Sequence, residues 1–431
     1  MRQGKSLQVL TIVSSPYFVP VCFVVYLGLR FAVVICIPLQ QTSDQLWYYN
    51  EAVSLAAGRG YSEGQVPTAY WPVGWPGFLG MVFWLFGPSP FVGQMANLLC
   101  SAATFLLTLR VGARLFNEAL VGRLSVLLLT FCPNQIAYVP ILGTEVFYAT
   151  LLLLAVDLLI SGRGWWRWLF AGMVFGIASL TKAQTLLVPA ALFAAWRIAP
   201  DRGGRPLNQL DQLGRALVVY AAMAVVIMPW TARNYHVFGA IVPISTNGGL
   251  TFLTGNNPSA EGDYTPNDAL VREVPRGAAR QVAADHLATS LALNWIHEHP
   301  GAAIALIPRK IWRLWAPDGE AEWQYQAGYK GYAEHWPVFR AVRIVNQVYY
   351  VALLLLTLLS AYYFYRGAGI PTPECCTGYV LMLYTTLISI VFSGQSRFHF
   401  AMVPWIAMYA SWALVQWSWS GSPRLARRSA A

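Results

Sequence analysis

The sequence predicts an all-α polytopic membrane protein, and three observations predict it. Of 431 residues, 56% are hydrophobic and 11% charged, whereas soluble domains carry about 25% charged residues. Apolar runs of roughly 17–22 residues, long enough to cross a bilayer, recur along the chain. The net charge of +10 is carried largely by arginines in short segments between those runs. That pattern sets membrane orientation and suits anionic headgroups, and it argues against a nucleic-acid partner.

The elements follow in order. Arg2 and Lys5 precede an apolar run, Tyr17 to Leu39, that is too long for the core of a cleaved signal. It reads as a retained first span. Further spans are expected at about 91–110, 119–137, 145–161, 168–181, 184–197, 215–230, 344–365, 377–393 and 400–418, ten in all. With a cytoplasmic N-terminus, Arg110 and Arg114, Arg163 and Arg167, Arg197, Arg202, Arg205 and Arg215, and the tail residues Arg424, Arg427 and Arg428 fall on one side. The expected location is therefore the inner membrane, with both termini cytoplasmic. The chain then divides into a membrane core at 1–230 with a first outer loop at 40–90, a second outer loop or periplasmic domain at 231–343, and C-terminal spans with a basic tail at 344–431. The second loop holds ten of the nineteen acids. Helices are expected there at 277–298 and 301–315, in a small α or α+β outer domain. The six cysteines show neither a disulfide framework nor zinc spacing.

Within the first loop, TSDQLWYYNEAVSLAAG (42–58) has helical periodicity. Leu46, Tyr49, Val53, Ala56 and Ala57 share one face, and Asp44, Tyr48 and Glu51 the other. This is an interfacial amphipathic helix, with Ser43 as N-cap and Gly58 as its stop. Acids on such a helix ordinarily serve to solvate its polar face. Asp44 is set apart by lying about one turn from the first span, beside Trp47, Tyr48 and Tyr49. Pro72 and Pro76 then force a turn before an apolar helix of about ten residues, too short to span.

Glu145 opens a span, where an acid matches the helix dipole or faces the same outer cavity as Asp44. Lys182, Arg233, Arg397 and His399 stand on the outer side, against the positive-inside trend. Snorkelling is the plain reading of these cations; binding an anion at the membrane surface is the other. Trp295, His297, Glu298 and His299 give no converging metal set, so no metal ligands are assigned.

These stretches resemble the polytopic C-type glycosyltransferases that use polyprenyl-phosphate sugars, the protein O-mannosyltransferase and aminoarabinose–lipid A transferase group. The matching segments are TSDQLWYYNEAVSLAAGRGY at 42–61, YWPVGWPGFLGMVFWLFG at 70–87, GTEVFYATLLLLA at 143–155, IASLTKAQTLLVPAALF at 177–193, the run from Met228 to Tyr264, and SRFHFAMVPW at 396–405. The resemblance implies a membrane glycosyltransferase that moves a sugar from a polyprenyl-phosphate donor to a glycan, lipid or protein acceptor at the outer face. Asp44 takes the place of the base and Glu145 that of the acid opening the fourth span. Lys182, Arg233 and Arg397 fall where the donor phosphate is held. Tyr48, Glu51, Trp71, Asn256, Asn257 and His399 are the candidate substrate contacts. Phe398 stands where many relatives show tyrosine, and Trp71-Pro72-Val73-Gly74 replaces a double proline. A divalent metal is left open as a cofactor. The chemistry suits this inventory: a carboxylate takes the acceptor's proton, and cations hold a phosphate that leaves as an anion without needing a proton donor. The rival readings are a lipid-linked oligosaccharide transporter or flippase, which ordinarily shows repeat symmetry where none is found, and an O-antigen ligase or polymerase.

Overall fold

The computed structural model describes residues 12–161, 164–198, 209–317, 319–366 and 372–420. Among the described residues the regular elements are helices apart from one antiparallel pair of two-residue strands, β1 (Ser62–Glu63) and β2 (Val66–Pro67). Its helices are α1 (Phe18–Cys36), α2 (Ser43–Ala56), α3 (Gly74–Phe86), α4 (Pro90–Leu115), α5 (Ala119–Thr130), α6 (Pro133–Ala137), α7 (Glu145–Ile160), α8 (Trp165–Thr181) and α9 (Val188–Ile198). They continue with α10 (Gln209–Phe238), α11 (Gly248–Gly255), α12 (Ala269–Glu273), α13 (Gln281–Glu298), α14 (Pro300–Trp315), α15 (Glu320–Gly328), α16 (Trp336–Tyr365), α17 (Thr377–Val391) and α18 (Val403–Ser420).

Among the described residues, six segments are long and apolar enough to cross a membrane: 18–36, 90–115, 212–238, 336–365, 373–391 and 396–418. The other four expected spans yield shorter helices. The 119–137 run breaks before Pro133, which has no N–H to continue α5. The 145–161 and 168–181 runs give helices of 16 and 17 residues. The 184–197 run divides into a 3-10 turn (Ala183–Leu187) and the 11-residue α9.

The centre of the bundle is α7 and α18. Both are apolar nearly all round, the pattern of a helix enclosed by others, and most of their residues are buried. Around them α8 packs on α7 and α10, α4 on α5 and α7, and α18 on α5 and α16. Close approach depends on Gly122, where a Cβ would lie 2.2 Å from the Leu109 carbonyl oxygen.

The expected outer-domain helices at 277–298 and 301–315 are present as a 3-10 turn (Ala278–Arg280) leading into α13, and as α14. The described part of 231–343 contains no strand. The α2 helix begins where expected, but Ser43 is its first residue at φ +50°. Thr42 is the N-cap, and it makes no side-chain cap. Gly58, at φ +71°, ends the helix as expected, since a left-handed residue there suits glycine. Tyr48 and Glu51 turn inward under the loop, whereas Leu46 is 44% exposed. The α3 helix follows the Pro72–Pro76 turn and has 13 residues.

Charge divides between the two ends of the bundle. At the C-terminal ends of α4 and α7, Arg110 and Arg114 both pair with the buried Asp157. Glu145 stands at the opposite end of α7. Arg2, Lys5, Arg163, Arg202, Arg205, Arg424, Arg427 and Arg428 lie outside the described residues.

Candidate functional site

The expected site residues come from four segments distant in sequence. Asp44 is in the first turn of α2. Its helix start is held by Thr42, whose hydroxyl donates to Gln324 of α15 at 3.3 Å. Glu145 is the first residue of α7. There Gly143 permits its close approach, because a Cβ at 143 would meet the Glu145 carboxylate at 2.4 Å. Lys182 follows α8 in extended conformation. Arg397 lies on the 3-10 turn Ser396–Met402, which packs against α7, α14, α15, α17 and α18.

These four form a line with a carboxylate at each end and two cations between. Arg397 Nη1 donates to Asp44 Oδ2 at 3.1 Å. Lys182 Nζ donates to Glu145 Oε1 at 3.1 Å. The Phe398 ring lies between the two cations, 5.5 Å from the Arg397 guanidinium and 5.4 Å from the Lys182 ammonium. The pairs differ in access. The Asp44 and Arg397 side chains are each 26% exposed, Lys182 16% and Glu145 7%. One end of the line therefore faces outward and the other is anchored in the core.

Beneath it lies Tyr48. Burial, together with the Asp44 and Glu145 carboxylates, pushes its phenol well above the usual range, so it stays protonated. Its ring meets Trp47 and Trp71 edge-on at 5.9 Å each.

Sequence reasoning missed two supporting residues. Gln395, nearly buried, accepts from Arg397 Nε at 2.8 Å. The Tyr148 ring lies 5.8 Å below Lys182. Tyr148 was visible as the residue one helical turn after Glu145. Gln395 had only adjacency to Arg397 as a signal.

The other candidates do not join this line. Arg233 clamps the first loop: Nη1 donates to the Thr68 carbonyl and Nη2 to the Tyr61 carbonyl, both at 2.8 Å, over the Trp230 ring. Glu51 is buried beside that clamp and accepts from the Ser62 N–H at 2.9 Å. Burial raises its pKa to about 7. Trp71 accepts through its carbonyl from the Tyr61 hydroxyl.

Asn256 and Asn257 are buried. Asn256 bonds the Phe252 and Val391 carbonyls and accepts from Lys310 Nζ at 2.8 Å; Asn257 bonds the Leu253 carbonyl. His399 is fully enclosed, stacked between Tyr350 (4.6 Å) and Trp315 (6.0 Å), with Nδ1 2.6 Å from the Leu314 carbonyl. These geometries serve packing. Among the described residues no three His, Cys, Asp or Glu side chains converge as metal ligands.

Residues 72–231 match the model of a family described as dolichyl-phosphate-mannose-protein mannosyltransferase. No curated protein matches the sequence. The fold is similar to that of the archaeal oligosaccharyltransferase AglB from Archaeoglobus fulgidus, solved with an inhibitory peptide and a dolichol-phosphate. The TM-score is 0.56 at 12% identity, over 93% of this chain and 51% of that one. A second Archaeoglobus fulgidus oligosaccharyltransferase structure, tethered to an acceptor peptide containing the NVT sequon, gives 0.56 and 12% over 93% and 50%. The chain thus spans about half the length of these solved proteins. ArnT from Cupriavidus metallidurans, bound to undecaprenyl phosphate, overlaps at a TM-score of 0.41 with 14% identity, over 89% of this chain and 76% of that one. That superposition is too loose to argue from. Residues 72–231 match the model of that mannosyltransferase family, and nearly the whole chain shares the fold of the Archaeoglobus fulgidus oligosaccharyltransferase.

Proposed function

We propose that the protein transfers a sugar from a polyprenyl-phosphate donor to an acceptor at the membrane face that carries Asp44. The observation that carries this reading is the line Asp44–Arg397–Phe398–Lys182–Glu145, with two carboxylates at its ends and two cations between them.

In the reaction, the acceptor oxygen or nitrogen bonds to the anomeric carbon as the bond from that carbon to the phosphate oxygen breaks. The electron pair leaves with the phosphate, and the acceptor's proton passes to Asp44. Arg397 and Lys182 meet the charge gathering on the phosphate. Glu145 keeps the Lys182 ammonium at the right height. Asp44 holds Arg397 until the phosphate competes for the guanidinium, and its carboxylate is then released to act as base. The two acids already have cationic partners, which suits a site in which side chains hold the phosphate. Transporters place their substrate and ion sites near the bilayer midplane; these four residues gather at one end of the bundle.

The test is Asp44→Asn, which removes the base and keeps the size. Transfer from a polyprenyl-phosphate sugar falls at least about 100-fold, with expression and membrane insertion intact. Wild-type turnover in that variant rules out Asp44 as base. The sugar follows from profiling the glycans and lipids of cells lacking the protein, where one decoration disappears.

A further inference from the structure

The outward face of α14 carries charge that the transfer site does not use. Arg309, Trp312 and Arg313 are exposed along it, and with Pro308 and Glu261 they line a surface cavity of about 660 Å³. Ligand-holding cavities run roughly 300–1,000 Å³. Arg309 and Arg313 are four residues apart, so they are neighbours on the helix surface. Arg313 meets Glu261 at 3.8 Å, with both side chains well exposed; such a pair is weak in water. Arg309 makes no ion pair among the described residues.

Contacts on the other side of the helix fix the height of this face. Lys310 Nζ donates to the Ile390 carbonyl and Trp315 Nε1 to the Thr386 hydroxyl, each at 3.0 Å. Moving from Lys310 to Trp315 along α14 therefore moves the contact back by one turn of α17, about 6 Å at 1.5 Å per residue. The second half of α14 runs beside the last turns of α17. That helix belongs to the 373–391 segment, long and apolar enough to cross a membrane. The end of a span lies at the bilayer surface, so the exposed face of α14 meets headgroups. Trp312 is 69% exposed, and a tryptophan set between two arginines suits that layer, where indole rings and snorkelling cations both settle.

We propose that the Arg309–Trp312–Arg313 face binds the phosphate of an anionic bilayer lipid. The two guanidiniums present forked donors to the phosphate oxygens, and the acyl chains stay in the bilayer beside α17. Glu261 yields Arg313 to the phosphate, because its own hold on that cation is long and solvated. A zwitterionic headgroup brings an ammonium toward the same cations and is disfavoured. The lipid is neither donor nor acceptor in the transfer. The buried face of α14, with Leu306, Lys310 and Leu314, stands between it and the turn that bears Arg397.

The experiment uses the full chain in phosphatidylcholine nanodiscs containing a minor fraction of phosphatidylglycerol that bears a diazirine on its headgroup. Photolysis and peptide mapping place adducts on 305–313, and the same diazirine on a phosphatidylcholine headgroup labels that stretch weakly. Arg309→Gln combined with Arg313→Gln lowers the phosphatidylglycerol adduct at least about tenfold, at roughly fivefold for each arginine. Glu261→Gln removes the competing carboxylate and raises the adduct about twofold, a gain that a misfolded variant does not produce. The proposal is overturned if phosphatidylcholine labels 305–313 as strongly as phosphatidylglycerol, or if the double variant labels like the parent. It is also overturned if excess glycerol phosphate in the buffer abolishes the adduct, which gives the face to a soluble anion. Asp44→Asn, which tests the transfer reading, labels like the parent, so the two proposals fail separately.

Discussion

At Asp44 the carboxylate is engaged by Arg397 at 3.1 Å, so on the proposed reading the guanidinium must turn to the donor phosphate before Asp44 receives the acceptor's proton. The neighbouring Glu51 carries a different consequence. Burial raises its pKa to about 7, while an exposed glutamate titrates near 4.5. Between those values the folded chain keeps a proton that the unfolded chain has released, so stability falls as pH rises through that window and levels off above about 7. Glu51→Gln is therefore expected to match the parent near pH 5 and to unfold at a higher temperature than the parent at pH 8. Thermal unfolding in detergent measures this, and a parent as stable as the variant at pH 8 contradicts it. Asp44 and Glu51 stand seven residues apart on one helix. Asp44 finds its cationic partner 353 residues away in the sequence.

Among the elements, α14 ties the 248–257 segment to α17 and to the turn that bears Arg397. Lys310 on its buried face donates to Asn256 and to the Ile390 carbonyl at the end of α17. Trp315 donates to Thr386 of the same helix. One turn away the Leu314 carbonyl meets His399 on the turn that bears Arg397. Lys310→Met leaves the Asn256 side-chain Oδ1 without its donor, at a cost of about 1–3 kcal/mol. Amide exchange is expected to quicken at 248–257 and 388–394 while the first loop is unchanged; unaltered exchange in both segments refutes the tether. The helix itself was readable from its apolar spacing. The inward direction of Lys310 was not, since a lysine among arginines on an amphipathic helix ordinarily reads as solvated.

For the whole molecule, the separation of charge predicts orientation. The Arg110–Arg114–Asp157 cluster and the Asp44–Glu145 line occupy opposite ends of the bundle, and the positive-inside trend puts the first in the cytoplasm. In a background without the six native cysteines, Gln65→Cys is expected to react with a membrane-impermeant thiol reagent in intact cells. Ala119→Cys is expected to react only after permeabilisation. The reverse pattern inverts the topology.

Composition and periodicity by themselves determined that this chain is a helical membrane protein, that acids and cations stand at the ends of apolar runs, and that proline breaks the first loop before a short helix. Those features are local: they depend on residues within a turn or two of each other, and the cost of placing charge in lipid acts directly on sequence. Only the tertiary structure decided which charges meet. It gave Asp44 to Arg397 and Glu145 to Lys182, and it committed Arg233 to loop carbonyls and His399 to a sealed aromatic stack. All four cations looked alike as residues at helix ends near the membrane surface. Their fates differ because helix packing, set by buried apolar faces and by contacts such as Gly122 on Leu109, fixes which ends come together.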